Sequence, residues 1–352
     1  MGLNDLRNSI DNIDGKILNL LNLRAKEVLK ISEFKRNKKL KAYSPDREAN
    51  LLRRLRKLNQ GPLSSKDTDI IFGEVMSVCR ALHAKLKISY LGPEGTFTHL
   101  AARKKFGKKT AYVSSDSIAD VFEKVEKGDA DYGVVPIENS TEGVVKHTLD
   151  MFATSPLKIC SQITLNISHF LLSKTTLSRV KKIYSHPQAF AQCRKWITAN
   201  TPGVKLVDAL STAKAAQLAK KDSAGACLGN KVLAQIYKLR IISSSVEDSS
   251  NNRTRFLVIA KNDSPTSGKD KTSVLLAMQD KVGALHDTLL VFKKGKINLT
   301  KIESRPSKKK AWEYYFFVDF QGHKNSDNVE KVLKELSKNC TIKILGSYPD
   351  EN

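Results

Sequence analysis

The sequence predicts a multidomain chain of three consecutive folds. These are an all-α segment over residues 1–86, an α/β segment over 87–262 and an α+β segment of ferredoxin-like order over 270–352. Three observations predict it. Up to Leu86, apolar residues recur at steps of three and four, the period of one helix face. After Lys87, strand, glycine-bearing turn and helix alternate. Beyond Asn262-Asp-Ser-Pro-Thr-Ser-Gly268, a linker by composition, the order becomes β-α-β-β-α-β. A length of 352 residues suits two or three domains, and 40% hydrophobic residues exclude disordered and low-complexity classes.

In the first segment, Leu6, Ile10, Ile13, Ile17, Leu20, Leu21, Val28, Ile31 and Phe34 define one helix from Leu3 to Phe34. A second fits Asp46 to Leu58, opened by Ser44-Pro45 and closed by Gly61-Pro62, and a third fits Lys66 to Leu86. In the second segment, Lys87 to Leu91 is a strand, Gly92 to Thr96 a tight turn and Phe97 to Phe106 a helix. The order recurs at Tyr132 to Ile137 and at Lys182 to Tyr184, so a largely parallel sheet is expected, to about Lys261. In the third, strands fit 272–278, 297–302, 312–320 and 341–345, with helices at 284–292 and 327–336.

The formal charge is +24, but most of the 60 basic residues are lysines spread along the whole chain. A nucleic-acid reader would cluster arginines with stacking aromatics, so nucleic acid is not expected as a partner; a solvated lysine surface is expected, with attraction of small anions as the alternative. The stretch from Ile159 to Ser173, the longest without charge, is too short and polar to cross a bilayer. Charges at Asp5, Arg7, Asp11 and Asp14 interrupt any secretory leader, so no membrane association and a cytoplasmic location are expected. Five scattered cysteines without a C-x-x-C suggest neither disulfides nor a metal site. No cofactor is implied.

Arg7, Arg24, Lys35, Arg47 and Glu48 are the candidate binding residues of the helical segment. At about 1.5 Å of rise per residue, Arg24 and Lys35 lie roughly 16 Å apart and could grip a ligand about 8 Å long, whereas Arg7 is roughly 25 Å from Arg24. If Arg7 joins that site it must come from a second subunit. A helix of this length also cannot bury its apolar stripe in one small domain, so an intertwined homodimer is expected, with a dimer of dimers left open. The plainer alternative is a solvated charged surface on a helical bundle.

Leu6-Arg7, Leu23-Arg24, Lys35, Tyr43-Ser-Pro-Asp-Arg-Glu48 and Glu74-Val-Met-Ser-Val-Cys-Arg-Ala-Leu82 resemble the all-helical bacterial chorismate mutase family. The resemblance implies that Arg24 and the Arg7 of a partner chain bind the two carboxylates of chorismate. Lys35 would donate to a carboxylate and the ether oxygen, Glu48 would accept from the ring hydroxyl, and Arg47 would belong to the same site. Ser44, Cys79 and His83 depart from the family's usual Asp, Ser and Gln. A neutral His83 could still donate one N–H to the ether oxygen. A [3,3] rearrangement needs a dianion held folded in a positive field, which fixed cations supply.

Strand-to-helix junctions at Gly92 to Thr96, Asn139-Ser140-Thr141, Ser185 to Gln188 and Ser211-Thr212-Ala213 point backbone N–H groups beyond the strand ends. One such junction is a capped helix. Four favour a cleft for a small carboxylated ligand.

Leu91-Gly-Pro-Glu-Gly-Thr-Phe97, Asp131 to Gly143, Tyr184-Ser-His-Pro-Gln188 and Asn252-Arg-Thr-Arg-Phe256 closely resemble the prephenate dehydratase family, whose fold is two α/β lobes around a cleft, like a periplasmic-type binding protein. The resemblance implies that Thr254 assists departure of the ring hydroxyl, that Arg255 binds a carboxylate or positions the loop, and that Phe256 packs below. A Thr hydroxyl is a weak acid, so the expected role is an oriented hydrogen-bond donor. Thr96, Asn139, Ser140, Thr141, Ser185, Ser211 and Thr212 complete the candidate site. His186 and Glu142 are weaker candidates for an acid. Tyr237-Lys-Leu239 departs from the family's Tyr-Gly-Leu and is expected to alter a helix end.

Gly283-Ala284-Leu285-His286 opens a helix, and Asn298 to Pro306 runs along a strand that ends in Glu303-Ser304-Arg305-Pro306. Both stretches resemble the ACT domain attached to prephenate dehydratases, which implies that L-phenylalanine binds them at a subunit interface and inhibits the dehydratase. The sequence thus supports a fused enzyme acting on chorismate and prephenate under phenylalanine control. One alternative is a dehydratase whose helical domain is a weak mutase serving mainly dimerisation. A second is a non-enzymatic ligand sensor.

Overall fold

The computed structural model describes residues 2–38, 40–82, 85–278, 281–306 and 314–350. The chain divides into two compact units, Met1–Leu86 with Phe106–Ala111, and Lys87–Lys105 with Tyr112–Asn352.

The first unit is helical: α1 (Leu3–Asn37), α2 (Pro45–Leu58) and α3 (Ser65–Ala81). Pro45 occupies the first turn of α2, where its missing N–H costs nothing. Ser64 caps α3 by accepting from the Asp67 amide, and Asp67 reciprocates. The third helix stops at Ala81, short of the expected Leu86. No residue of α1 is buried, and Leu6, Ile10, Ile13 and Ile17 are 47%, 56%, 52% and 48% exposed.

In the second unit, β1 (Lys87–Leu91), α4 (Phe97–Phe106), β2 (Ala111–Ser115), α5 (Ile118–Lys127), β3 (Tyr132–Asn139), β4 (Gly143–Val144), α6 (Lys146–Thr154) and β5 (Lys158–Asn166) build a first lobe. A second lobe follows: β6 (Phe170–Ser173), β7 (Lys182–Ser185), α7 (Pro187–Gln192), α8 (Arg194–Asn200), β8 (Lys205–Asp208), α9 (Thr212–Lys221), β9 (Gly225–Gly229), α10 (Val232–Tyr237) and β10 (Arg240–Ser243). The chain then returns as β11 (Arg253–Ala260) to the middle of the first sheet, whose order is β2-β1-β3-β11-β5; the second sheet is β10-β6-β9-β7-β8.

Both sheets are mixed: β1 pairs with β3, and β7 with β8 and β9, in parallel as expected, but each sheet also holds a strand that runs against both of its neighbours. The strand β11 runs antiparallel to both β3 and β5, and β6 runs antiparallel to β9 and β10. Alternating strand and helix patterns do not reveal the direction in which a strand re-enters a sheet from another lobe. The antiparallel return has a consequence for the site: it sets Thr254, at the start of β11, opposite Asn139, at the end of β3.

The remaining elements, β12 (Asp270–Met278), α11 (Ala284–Lys294), β13 (Leu299–Pro306), β14 (Tyr314–Gln321), α12 (Asp327–Leu336) and β15 (Cys340–Pro349), form a sheet of order β13-β14-β12-β15. Side chains alternate across it. Val274, Leu276, Val318 and Phe320 pack with Phe292, Val329 and Val332 of the helices. Leu275, Phe317, Leu345 and Tyr348 join the core of the first lobe with Phe122, Phe152 and Ile159. Gly346 sits in this contact at φ +153°, where a Cβ would meet the Ile159 carbonyl oxygen at 2.2 Å.

The expected linker is an anchored segment. Ser264 and Ser267 are buried, Asp263 pairs with Lys324, and Asp270 accepts from the Ser267 and Gly268 amides. Its turn-forming composition reflects tight turns, and the Asp and Ser side chains satisfy the backbone there.

Candidate active sites

In the helical unit, Lys35 in the last turn of α1 donates to Ser44 Oγ at 3.0 Å and to the Ala42 carbonyl at 3.3 Å. Burial lowers the Lys35 pKa, and the charges of Asp46 and Glu48 partly offset it. Arg24 is half-buried, and its Nη1 finds no hydrogen-bond partner among the described residues. Arg7 and Arg47 are exposed. Cys79 is buried. Glu48 forms a largely buried ion pair with Arg80, whose guanidinium lies 5.2 Å from the Tyr43 ring. His83 lies outside the described residues.

In the two-lobed unit, the Asn139 side chain organises the candidate site. Its Oδ1 accepts the backbone N–H groups of Thr141 (2.9 Å) and Glu142 (3.1 Å), which fixes the orientation of the amide. Its Nδ2 therefore donates to Thr254 Oγ1 and to Asn252 Oδ1, both at 2.7 Å. A hydroxyl oxygen that accepts from an amide keeps its own hydrogen to give away. Asn252 Nδ2 in turn donates to Gln192 Oε1 at 2.9 Å, and Gln192 Nε2 donates to Glu142 Oε1 at 3.2 Å. His169 Nε2 also meets Gln192 Oε1 at 2.9 Å, and burial lowers the His169 pKa, so its ring is neutral near pH 7. Gln192 belongs to the second lobe and Glu142 and Asn252 to the first, so this chain of hydrogen bonds spans the cleft. The lobes also meet where Asn230 Nδ2 donates to the Gly95 carbonyl at 2.7 Å.

Asn139 and Thr254 are thus in direct contact, and Thr141 and Ser140 brace them. Thr141 Oγ1 donates to Asn139 Oδ1, while Ser140 Oγ donates to the Asn251 carbonyl and accepts the Arg253 amide. Thr96, Ser185, Ser211 and Thr212 stand at strand-to-helix junctions. The first donates to the Leu91 carbonyl and the second to the Leu228 carbonyl; the third caps α9 and the fourth is buried. Phe256 is fully buried.

Arg255, expected to bind a carboxylate or to position the loop, lies among protein partners. Its guanidinium is spent on Gln162, Glu138, Asp319 and Tyr348. His186 is a helix cap, its Nδ1 accepting the Gln188 amide, and Glu142 accepts from Gln188 and Gln192.

In the C-terminal sheet, Gly283 opens α11 at φ +82°, with Leu285 and His286 exposed and Ala284 half-buried. Along the edge strand β13, Ser304 and Pro306 are exposed and Glu303 is half-buried. Arg305 pairs with Asp150 of the first lobe at 2.9 Å, so its guanidinium faces that lobe and not the exposed face.

The family model for chorismate mutase type II matches residues 6–84, that for prephenate dehydratase 88–264 and that for the ACT domain 272–338. A bifunctional chorismate mutase/prephenate dehydratase of Aquifex aeolicus is 47% identical over 353 residues, covering 99% of this chain and 98% of its own. The chain belongs to the bifunctional chorismate mutase/prephenate dehydratase family. Among solved structures, the prephenate dehydratase of Arthrobacter aurescens in complex with L-Phe aligns with TM-score 0.70 and 32% identity, over 75% of this chain and 90% of its own. A quorum-quenching acylase also aligns with TM-score 0.70, at 26% identity over 75% of this chain and 98% of its own. Architecture alone therefore does not select the reaction, and the site must.

In the dehydratase domain, sequence reasoning passed over Asn252 and Gln192. Asn252 stands in the quoted Asn-Arg-Thr-Arg-Phe stretch, but its position before the strand hides its orientation. Gln192 follows Gln188 by four residues on α7, so both amides reach Glu142; helix phase was the available signal. In the mutase domain, Arg80 was quoted without a role. Among the described residues no helix is long and apolar enough to cross a membrane, and no group of His, Cys, Asp and Glu could hold a metal ion.

Proposed function

We propose that the helical domain rearranges chorismate to prephenate, that the two-lobed domain converts prephenate to phenylpyruvate, and that L-phenylalanine bound by the C-terminal domain inhibits the second step. The observation that carries the dehydratase reading is the orientation of Asn139, which leaves the Thr254 hydroxyl hydrogen free to point at a ligand. In the reaction the bond to the ring carboxylate breaks and releases CO2. Its electron pair enters the ring, and the ring C–O bond breaks as hydroxide departs. Charge develops on the departing oxygen, where a fixed donor stabilises the transition state more than the ground state. Thr254 supplies that donor, and Asn139, held by two backbone amides, keeps it aimed.

In the mutase domain, Lys35 and Arg24 offer positive charge beside half-buried surface, and Arg7 joins from a second subunit because helix rise puts it about 25 Å from Arg24. The exposed stripe Leu6, Ile10, Ile13 and Ile17 supports a homodimer through α1. A second reading, in which this domain chiefly dimerises the chain, is favoured by the engagement of Glu48 with Arg80.

Assays with chorismate and with prephenate test these roles. Thr254→Ala is expected to cut phenylpyruvate formation about 10²–10³-fold and leave prephenate formation unchanged; an undiminished dehydratase would refute the assignment. Mixing Arg7→Ala and Arg24→Ala subunits should restore part of the mutase activity if sites are shared, and no recovery would contradict sharing. Undetectable wild-type mutase activity rescued by His83→Gln would favour the second reading.

A further inference from the structure

The catalytic strand has a second face. In β11 successive side chains point to opposite sides, so Thr254 and Arg255 diverge, as do their partners Asn139 and Glu138 on β3. Thr254 and Asn139 meet each other at the cleft. Arg255 and Glu138 meet the C-terminal sheet. Arg255 Nη1 donates to Asp319 at 2.6 Å and to Glu138 at 3.1 Å, and Nη2 donates to the Tyr348 hydroxyl at 2.8 Å. Glu138 is bonded in turn to Lys301, and Asp319, fully buried, also accepts from Ser273. Burial alone would raise the Glu138 pKa, but hydrogen bonds and charges from Lys301 and Arg255 outweigh it and hold the carboxyl below its usual range.

Asp319 is fully buried and Arg255 and Lys301 nearly so, and buried charges persist only when geometry satisfies each of them, so the cluster tolerates little relative movement. A planar guanidinium adds direction as well as charge. The pairing of β11 with β3 shifts register between Arg255 and Phe256, and such irregularities re-aim the side chains beside them. Lys301 and Asp319 are cross-strand neighbours on β13 and β14, and Lys301 lies two residues before Glu303 in the strand that carries the effector motif.

We infer that Asp319 and Lys301 of the C-terminal sheet are positioning residues for dehydration, setting the strands that hold Thr254 and Asn139 through Arg255 and Glu138. This rests on the dehydratase reading of Thr254. It also supplies a contact through which effector binding on β13 reaches the cleft, since the two strands that bear the catalytic pair are those the sheet grips.

The test uses the full chain and prephenate and chorismate as substrates. Asp319→Asn is expected to lower the dehydratase kcat at least tenfold, with KM for prephenate within threefold and the mutase rate within twofold of wild type. Lys301→Met is expected to lower kcat about threefold, Lys301→Arg to restore it, and the double variant to lose less than the product of the single losses, because both act on one pair of strands. Unchanged kcat in folded Asp319→Asn and Lys301→Met proteins, or a change confined to KM, would overturn the inference. If Asp319→Asn does not fold, Lys301→Met and its Arg counterpart decide it. Absence of phenylpyruvate formation by the wild type would overturn the underlying dehydratase reading instead.

Discussion

Asn139 shows how much one amide decides. Its Oδ1 faces two backbone donors, so only Nδ2 is left for Thr254, and the Thr hydroxyl becomes a donor by exclusion. Asn139→Asp keeps the shape but replaces that donor with an acceptor, which would turn the Thr254 hydrogen toward the new carboxylate. Steady-state assays should show the dehydratase kcat reduced about 10²-fold with the mutase unaffected. Lys238 makes a different point. It ends α10 at φ +55°, a left-handed conformation that L-residues other than Asn and Gly avoid. The sequence marked this position as a departure at a helix end, and the backbone supplies the reason. Lys238→Gly should stabilise the chain by about 0.5–1 kcal/mol, after allowing for the extra freedom of glycine in the unfolded state. Urea denaturation measures this directly.

At the scale of elements, α1 is the test of what a helix without a buried face requires. Its apolar periodicity is legible in the sequence, its start at Leu3 matches, and the expected end at Phe34 falls three residues short of Asn37, because a helix face is a local pattern. The proposed dimer would cover that face. If α1 pairs two subunits as proposed, Ile13→Glu combined with Ile17→Glu, at positions 52% and 48% exposed, should yield monomers in sedimentation velocity where the wild type sediments as a dimer. On the proposed shared site, with Arg7 supplied by a second subunit, mutase activity should fall at the same time. Survival of a mutase-active monomer would contradict a shared site. The strand β11 is the opposite case. Its motif identified Thr254, but its antiparallel course between β3 and β5 had no signature in alternating strands and helices, because direction is set by pairing and not by propensity.

For the whole molecule, two activities with different chemistry should titrate independently. Burial lowers the Lys35 pKa, so its ammonium is lost at a lower pH than an ordinary lysine's. On the proposed role of Lys35, the mutase kcat/KM, which reports groups of the free enzyme, should fall as pH rises through this lowered value, below the usual lysine pKa of about 10.4. The dehydratase, assayed with prephenate, should not share this limb. Lys35→Arg should move the limb upward or remove it, and coincident alkaline limbs in both reactions would contradict the assignment to Lys35.

By itself the sequence determined the multidomain class, most helices and strands, and the candidates Thr254, Asn139 and Lys35 as motif positions, because periodicity, turn chemistry and dense motifs act over a few residues. Only the tertiary structure decided where the charges went. Arg255 meets Asp319 across 64 positions and Glu138 across 117, and Glu138 meets Lys301 across 163. Such partners are chosen by strand pairing within one sheet, as for Arg255 and Glu138, and by the packing of one sheet on another. A buried guanidinium must be satisfied by whichever groups that packing brings within reach, and no local pattern records which they are.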